Sequence, residues 1–321
     1  MKKVFAVTAA LVLLSLGGIA QANITIDTVP VGNAGNAADT RVMNDDTTGY
    51  GSVGYNYNIG KYEVTAGQYT AFLSAVAATD TYGLYNASMS NTSTGSGITR
   101  SSDPGSYTYS VATAFIDRPV NYVSYWDSCR FANWLGNGQG SSGTETGAYT
   151  LTSDGITYNT ITRNIGWTGW AVTNEDEWYK AAYYKGGGAY SLYANGTNTA
   201  PGAGTASNYN GAIGHTWDGT IDGAWEQNGT KDMMGNVWEW NEAIVYQDAN
   251  YADRGLRGGS FSYDDISLQS SSRYYSLPNN EYNFFGFRVS QVPGAAVPEP
   301  SSIIALLGGL AGPIGLRRRK A

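Results

Sequence analysis

Glycine fills 42 of the 321 positions, and the chain sets 25 tyrosines and nine tryptophans among them. Glycine weakens helix and strand interiors and is at home in turns. Large aromatic side chains bury much surface each. A chain with both in excess folds as loops pinned by aromatic packing, not as a helical bundle. Only 14% of residues are charged and 42% are hydrophobic, enough for a sizeable core and too few charges for charge-driven disorder. Lys and Arg number 19 against 26 Asp and Glu, a net charge of −7. This acidic balance argues against a nucleic-acid partner, which needs a basic face to replace phosphate counterions. One His and one Cys exclude a multi-histidine metal centre, an internal disulfide and any two-cysteine site within the chain.

Both ends read as sorting segments. Residues 1–22 begin with Lys2 and Lys3, run apolar over 4–19 and end on Ala20-Gln21-Ala22. This is the pattern of a secretory signal peptide, cut by signal peptidase. Residues 295–321 hold Pro298-Glu299-Pro300, an apolar segment over 303–316, and Arg317-Arg318-Arg319-Lys320. Fourteen residues are short for a bilayer span, which takes about 20, and the basic cluster favours the cytoplasmic side. The tail resembles the PEP-CTERM sorting signal of Gram-negative bacteria. The resemblance implies export, a transient C-terminal membrane segment, processing by an exosortase, and delivery to the cell surface or an exopolysaccharide matrix. Removing both ends takes away six basic residues and Glu299, which leaves the body at 23–294 more acidic still.

Within the body, three short helices are predicted. Thr65 with Gln68 forms a capping box, followed by Tyr69, Phe72, Leu73 and Val76 on one face. Ser124 with Asp127 opens a second helix that carries Phe131, Ala132 and Leu135 inward and stops at Gly136. Thr173 with Asp176 opens a third, with Trp178, Ala181 and Ala182 inward and Gly186 beyond it. The Ser/Thr/Gly-rich stretches 86–108 and 136–148 read as loops. Residues 149–162 alternate around Asp154-Gly155, a hairpin signal. Short strands are expected over 256–261 and 287–290.

Six strings follow in order: Tyr62-Glu63-Val64-Thr65, Pro119-Val120-Asn121-Tyr122-Val123-Ser124, Thr173-Asn174-Glu175-Asp176-Glu177-Trp178, Asp232-Met233-Met234-Gly235-Asn236-Val237-Trp238-Glu239-Trp240, Arg257-Gly258-Gly259-Ser260-Phe261 and Gly286-Phe287-Arg288. Together they resemble the formylglycine-generating enzyme, or sulfatase-modifying factor, family over about residues 25 to 292. The resemblance implies one loop-rich α+β domain related to the C-type lectin fold, with its first and last strands brought together.

Family enzymes oxidise a sulfatase cysteine to formylglycine with copper held by two cysteines, and a soft thiolate pair suits Cu(I). Counted from Phe261, the two family cysteine positions fall on Tyr263 and Leu268. Cys129 lies in the second helix and reads as a small core residue. A related branch holds iron with several histidines, whereas His215 is alone. No copper or iron is therefore expected, nor any catalytic residue. By the same resemblance a structural Ca²⁺ takes Asp232, the carbonyls of Gly235 and Val237, and Glu239; hard oxygen donors suit that ion. A second family calcium site maps onto Asn208 and the Tyr209 carbonyl, with no clear distal carboxylate. Of Trp170, Trp178, Trp217, Trp225, Trp238 and Trp240, most read as core. Tyr263, Tyr274 and Tyr275 are the candidates for an exposed ligand ledge. Two function classes remain: a cell-surface or matrix protein that binds a glycan or protein ligand, and an oxidoreductase of the family with metal ligands of another kind. An assembly partner for a catalytic relative is a third.

Overall fold

The computed structural model describes residues 23–248, 252–292 and 294; the expected signal peptide at 1–22 and the tail at 295–321 lie outside the described residues. Strands β1 (Thr28–Val31) and β2 (Tyr57–Gly60) precede helix α1 (Ala66–Val76). Strands β3 (Ile98–Ser101) and β4 (Thr108–Val111) lead to α2 (Tyr125–Gly136), and α3 (Ser153–Thr157) and β5 (Gly169–Val172) follow. Helix α4 (Glu175–Tyr183) runs into β6 (Tyr184–Gly186) and β7 (Ala189–Tyr190). A long loop region then reaches β8 (Trp238–Gln247), β9 (Ala252–Arg257), β10 (Tyr274–Ser276), β11 (Phe285–Phe287) and β12 (Val289–Val292).

The helices begin where the side chains can cap them. At α1, Thr65 Oγ1 accepts from Gln68 N while Gln68 Oε1 accepts from Thr65 N, at 3.2 and 2.9 Å. At α2, Ser124 and Asp127 make the same exchange. Both boxes are the predicted ones. The third differs by one residue: Asn174 caps α4 and Glu177 answers it, in place of Thr173 and Asp176. Thr173 is still tied to the sheet, its hydroxyl donating to Arg288 O at 3.2 Å, and Asp176 accepts from Gly51 N instead. Side chains at i, i+3 and i+4 then share a face. Tyr69, Phe72 and Leu73 of α1 are buried, as are Phe131 and Trp134 of α2. Phe72 meets Phe131 and Trp134 at ring distances of 5.5 and 5.3 Å, and Phe131 meets Phe287 at 5.4 Å.

Two four-stranded sheets frame the domain, in the orders β1-β2-β12-β5 and β10-β9-β8-β11. The first and last strands do share a sheet, with β2 between them. The expected strand over 287–290 is in fact two. Strand β11 runs parallel to β8, with Gly286 opposite Glu239, and β12 runs antiparallel to β2 and β5. The chain changes sheet at Arg288, which is fully buried. The strand expected over 256–261 ends at Arg257 because Gly258 and Gly259 take φ values of +100° and +75°, open to glycine at no steric cost. The hairpin expected at Asp154-Gly155 is absent. Thr152 Oγ1 accepts from Gly155 N and starts α3 instead, and Asn159, at φ +50°, turns the chain out of it. Tyr149, Leu151 and Ile161 are buried, so the alternation reflects unpaired extended chain packing inward. The predicted loop 86–108 contains β3, which pairs with β4, whereas 137–148 is irregular as expected.

Candidate functional site

Two neighbouring arrangements follow from the second sheet. The first is at its surface. Strand β10 lies at the sheet edge and carries Tyr274 and Tyr275, 40% and 48% exposed. Their rings stack on each other at 6.2 Å, and Tyr274 stacks on Trp238 at 5.1 Å and 27°. Tyr263, half-buried, meets Trp238 edge-on at 5.6 Å and Phe284 at 5.5 Å. Phe284 in turn stacks on Tyr282 at 5.3 Å and 9°, and Tyr282 is 45% exposed. Tyr263, Tyr274 and Tyr275 therefore do form one surface, and it is longer than the sequence indicated. Tyr282 and Phe284 extend it, and Trp238 is the buried base beneath it. Nothing in the irregular segment 277–284 marks its rings for this role. Leu268 is elsewhere. It is fully buried, and its carbonyl accepts from Tyr183 Oη at 3.0 Å. Cys129 is fully buried in α2, and loss of solvation pushes its thiol well above the usual range.

The second arrangement is buried beneath the sheet. Asp232 and Asn236 both sit at positive φ, +59° and +58°, which tightens the loop between them. A Cβ on Gly235 would stand 2.2 Å from Asn208 O, so only glycine fits there. Asp232 Oδ1 accepts from Trp217 Nε1 at 2.9 Å, while its Oδ2 is buried without a partner. Asn236 donates to Glu63 Oε2 at 3.2 Å and accepts from Asn208 Nδ2 at 3.2 Å and Trp217 N at 3.0 Å. Glu63 Oε1 and Asn208 Oδ1 are likewise buried and unpartnered. Glu239 is already paired. Arg288 grips it with two bonds of 2.6 and 2.7 Å, and Trp178 Nε1 donates to it at 2.8 Å.

Burial pushes the Asp232 carboxyl up to about 7, against the pull of Trp217 and Arg288. Burial and the charges of Asp232 and Glu239 hold Glu63 well above the carboxylate range. Burial also lifts Glu226 to about 8. Asp232 Oδ2, Glu63 Oε1 and Asn208 Oδ1 are hard oxygen donors of the type a divalent cation such as Ca²⁺ takes. Among the described residues no three His, Cys, Asp or Glu side chains group to hold a metal, so an ion here needs amide and main-chain oxygens as well. Next to Asn208, the Tyr209 carbonyl accepts from Ala212 N and its hydroxyl donates to Pro201 O. Glu63 and Asn236 were legible only as parts of motif strings.

His215 Nδ1 lies 2.8 Å from Thr216 O and 3.3 Å from Arg118 Nη1. Trp178, Trp217, Trp238 and Trp240 are core residues, and Trp225 is 58% exposed with the Lys61 and Lys231 ammonium groups over its ring.

A sulfatase-modifying factor enzyme 1-like domain matches residues 28–292. The chain belongs to this family. The sulfatase-modifying-factor domain is followed by a PEP-CTERM protein-sorting motif at 296–320, which implies export, cell-surface sorting and processing by an exosortase. Among the described residues no helix is long and apolar enough to cross a membrane. Two solved structures share the domain's C-type-lectin-like fold. CarF is 22% identical with a TM-score of 0.57, over 84% of this chain and 98% of its own. Treponema denticola variable protein 1 is 20% identical with a TM-score of 0.54, over 83% and 95%. No curated protein matches the chain.

Proposed function

We propose that this protein is a cell-surface or matrix binding protein on a sulfatase-modifying-factor scaffold, and that it does not generate formylglycine. One observation carries the reading. Where the family resemblance places two copper thiolates, this chain has Tyr263, a member of a surface run of rings, and Leu268, fully buried. A phenol is a hard donor with an ordinary pKa near 10, and an alkyl group donates nothing. Cys129 is one ligand where two are needed, and it is buried in α2. What stands at the surface instead is a shallow aromatic face on a rigid sheet, the furniture of a binding site.

The signal peptide at 1–22 is removed, the tail is processed, and the body at 23–294 acts outside the cell. Ca²⁺ bound by Asp232 and the loop that follows holds the buried carboxylates in their ionised form. The ledge reading is tested with the full chain and fragments of its own cell envelope, comparing wild type with the Tyr274→Ala/Tyr275→Ala variant. Retention lost in a variant that still folds supports the ledge; equal retention defeats it.

A further inference from the structure

A cavity of about 280 Å³ opens beside the first turn of α2, lined by Tyr82, Trp126, Asp127, Arg130, Asn279 and Glu281 among others. It lies away from the two family cysteine positions and from the Asp232 loop. Its lining has an unusual feature. Trp126 is 3% exposed and its indole N–H has no hydrogen-bond partner. A buried donor left unpaired costs free energy, and this one belongs to a ring that faces a cavity.

The other walls supply complementary groups. Asp127 uses only Oδ2 for the helix cap, accepting from Ser124 N and Oγ at 2.9 and 2.7 Å. Glu281 uses Oε2, accepting from Asn86 Nδ2 at 2.5 Å. Arg130 gives Nε and Nη2 to Glu145 at 2.8 and 3.2 Å, while its guanidinium covers the ring of Tyr82 at 4.4 Å. Tyr82 is 47% exposed at the mouth. The cavity thus offers two carboxyl oxygens as acceptors, an indole and a guanidinium N–H as donors, and an aromatic ring at the rim.

This pattern selects a class of ligand. An anion meets two carboxyl groups, and the one cation present is already paired with Glu145. A cation has no use for the two N–H donors and is repelled by Arg130. A group that both donates and accepts at several points, without net charge, satisfies all four at once. The volume is just below the range of about 300–1,000 Å³ for small-ligand clefts, so it admits one small polar ring.

We propose that this cavity is a subsite for a single uncharged pyranose unit of a polysaccharide. The proposal rests on the binding reading above and gives it a ligand class. The segment 277–284 links the two places. Tyr125 N donates to Pro278 O and Tyr122 N to Tyr282 O, both at 3.0 Å, and this segment carries Glu281 into the cavity and Tyr282 onto the aromatic run. A glycan with one ring in the cavity can lay its next units across Tyr282 toward Tyr274.

The test is calorimetric titration of the full chain with glucose, mannose and galactose hexamers, and with an oligogalacturonate as the charged comparison. At least one neutral hexamer binds, and the oligogalacturonate does not. Trp126→Phe, which keeps the ring and removes the N–H, weakens binding at least tenfold, and Glu281→Gln does the same. Should Trp126→Phe fail to fold, Glu281→Gln carries the result. No binding by any neutral hexamer, or unchanged affinity in folded variants, overturns the subsite. Loss confined to Tyr274→Ala/Tyr275→Ala overturns it too while keeping the ledge. Loss confined to Trp126→Phe and Glu281→Gln keeps the subsite and removes the ledge.

Discussion

The buried loop around Asp232 and the tyrosine run around Tyr263 lean on the same strand, yet they are held in opposite ways. In the loop the side chains are buried and knitted together by hydrogen bonds, with Asp232 Oδ2, Glu63 Oε1 and Asn208 Oδ1 left over. Arg288 locks Glu239 and also donates to Gly60 O and Lys231 O at 2.8 and 3.0 Å, so one guanidinium ties both sheets and the Asp232 loop together. In the run, Tyr274 and Tyr275 are part-exposed rings stacked on neighbouring rings, on an edge strand. Such a surface can change its side chains without disturbing the frame below. The contact between the two regions is Trp238, buried under the rings, one residue before Glu239. On the reading proposed above, the frame can be kept while the exposed rings of the run vary, because the buried pairs that tie the sheets do not involve them.

Breaking the frame gives the largest effect. Arg288→Ala leaves Glu239 charged and buried without its partner, and removing one member of a buried pair costs about 3–5 kcal/mol. Chemical denaturation is expected to show that loss, or no folded protein at all; a loss under 1 kcal/mol would mean the pair does not tie the sheets. Calcium comes next. An ion that binds only the native state at 100 times its dissociation constant adds about 2.7 kcal/mol. The thermal midpoint is therefore expected to fall when a chelator is added and to recover with excess Ca²⁺. A midpoint indifferent to both removes the ion from the loop.

A pH-dependent effect separates the frame from the cavity beside α2. Burial, reinforced by the charge of Glu281 and opposed by Ser124 and Arg130, raises Asp127 to about 7 from an ordinary 3.8. A folded pKa above the unfolded one means that this group favours the native state below about pH 4, and that the contribution is lost as pH rises through 7. The gap in stability between wild type and Asp127→Asn, followed from pH 4 to 8, is expected to move against wild type as pH rises. A gap independent of pH contradicts the assignment. The smallest effect on stability belongs to the run itself: Tyr275→Ala shifts unfolding by no more than about 0.5 kcal/mol, as exposed substitutions do, while reducing envelope binding. A large loss of stability would make the ring a structural element and erase the contrast.

Local chemistry explains which parts were legible. The capping boxes at Thr65 and Ser124 are written in adjacent residues, and the helices start where those residues say. The third box slid by one because Thr173 has a partner far along the chain, Arg288 O between β11 and β12, which no local pattern encodes. Asp154-Gly155 carried a turn signature, and Thr152 two residues earlier outcompeted it with a helix cap. The strand over 287–290 looked continuous because Phe287 and Val289 alternate with Arg288 and Ser290; the switch of sheets depends on Arg288 finding Glu239 some fifty residues upstream. The site shows the same division. Tyr263 is reached by counting along a motif, and Tyr274 and Tyr275 lie close to it in sequence, whereas Tyr282, Phe284, Glu63 and the cavity at Trp126 join through contacts between segments far apart in the chain.

The claim that the frame persists without the oxidase chemistry is tested most directly by an aldehyde assay. The full chain is incubated with Cu(I), oxygen and a cysteine-containing sulfatase-motif peptide, and the peptide is analysed for formylglycine by mass. The account predicts no aldehyde above the peptide-and-copper background. It also predicts that installing both thiolates, as Tyr263→Cys/Leu268→Cys, does not restore turnover unless the buried position 268 is first brought to the surface. Formylglycine produced by the wild-type chain, and lost in Cys129→Ser, would contradict the account and show that the lone buried thiol serves the metal after all.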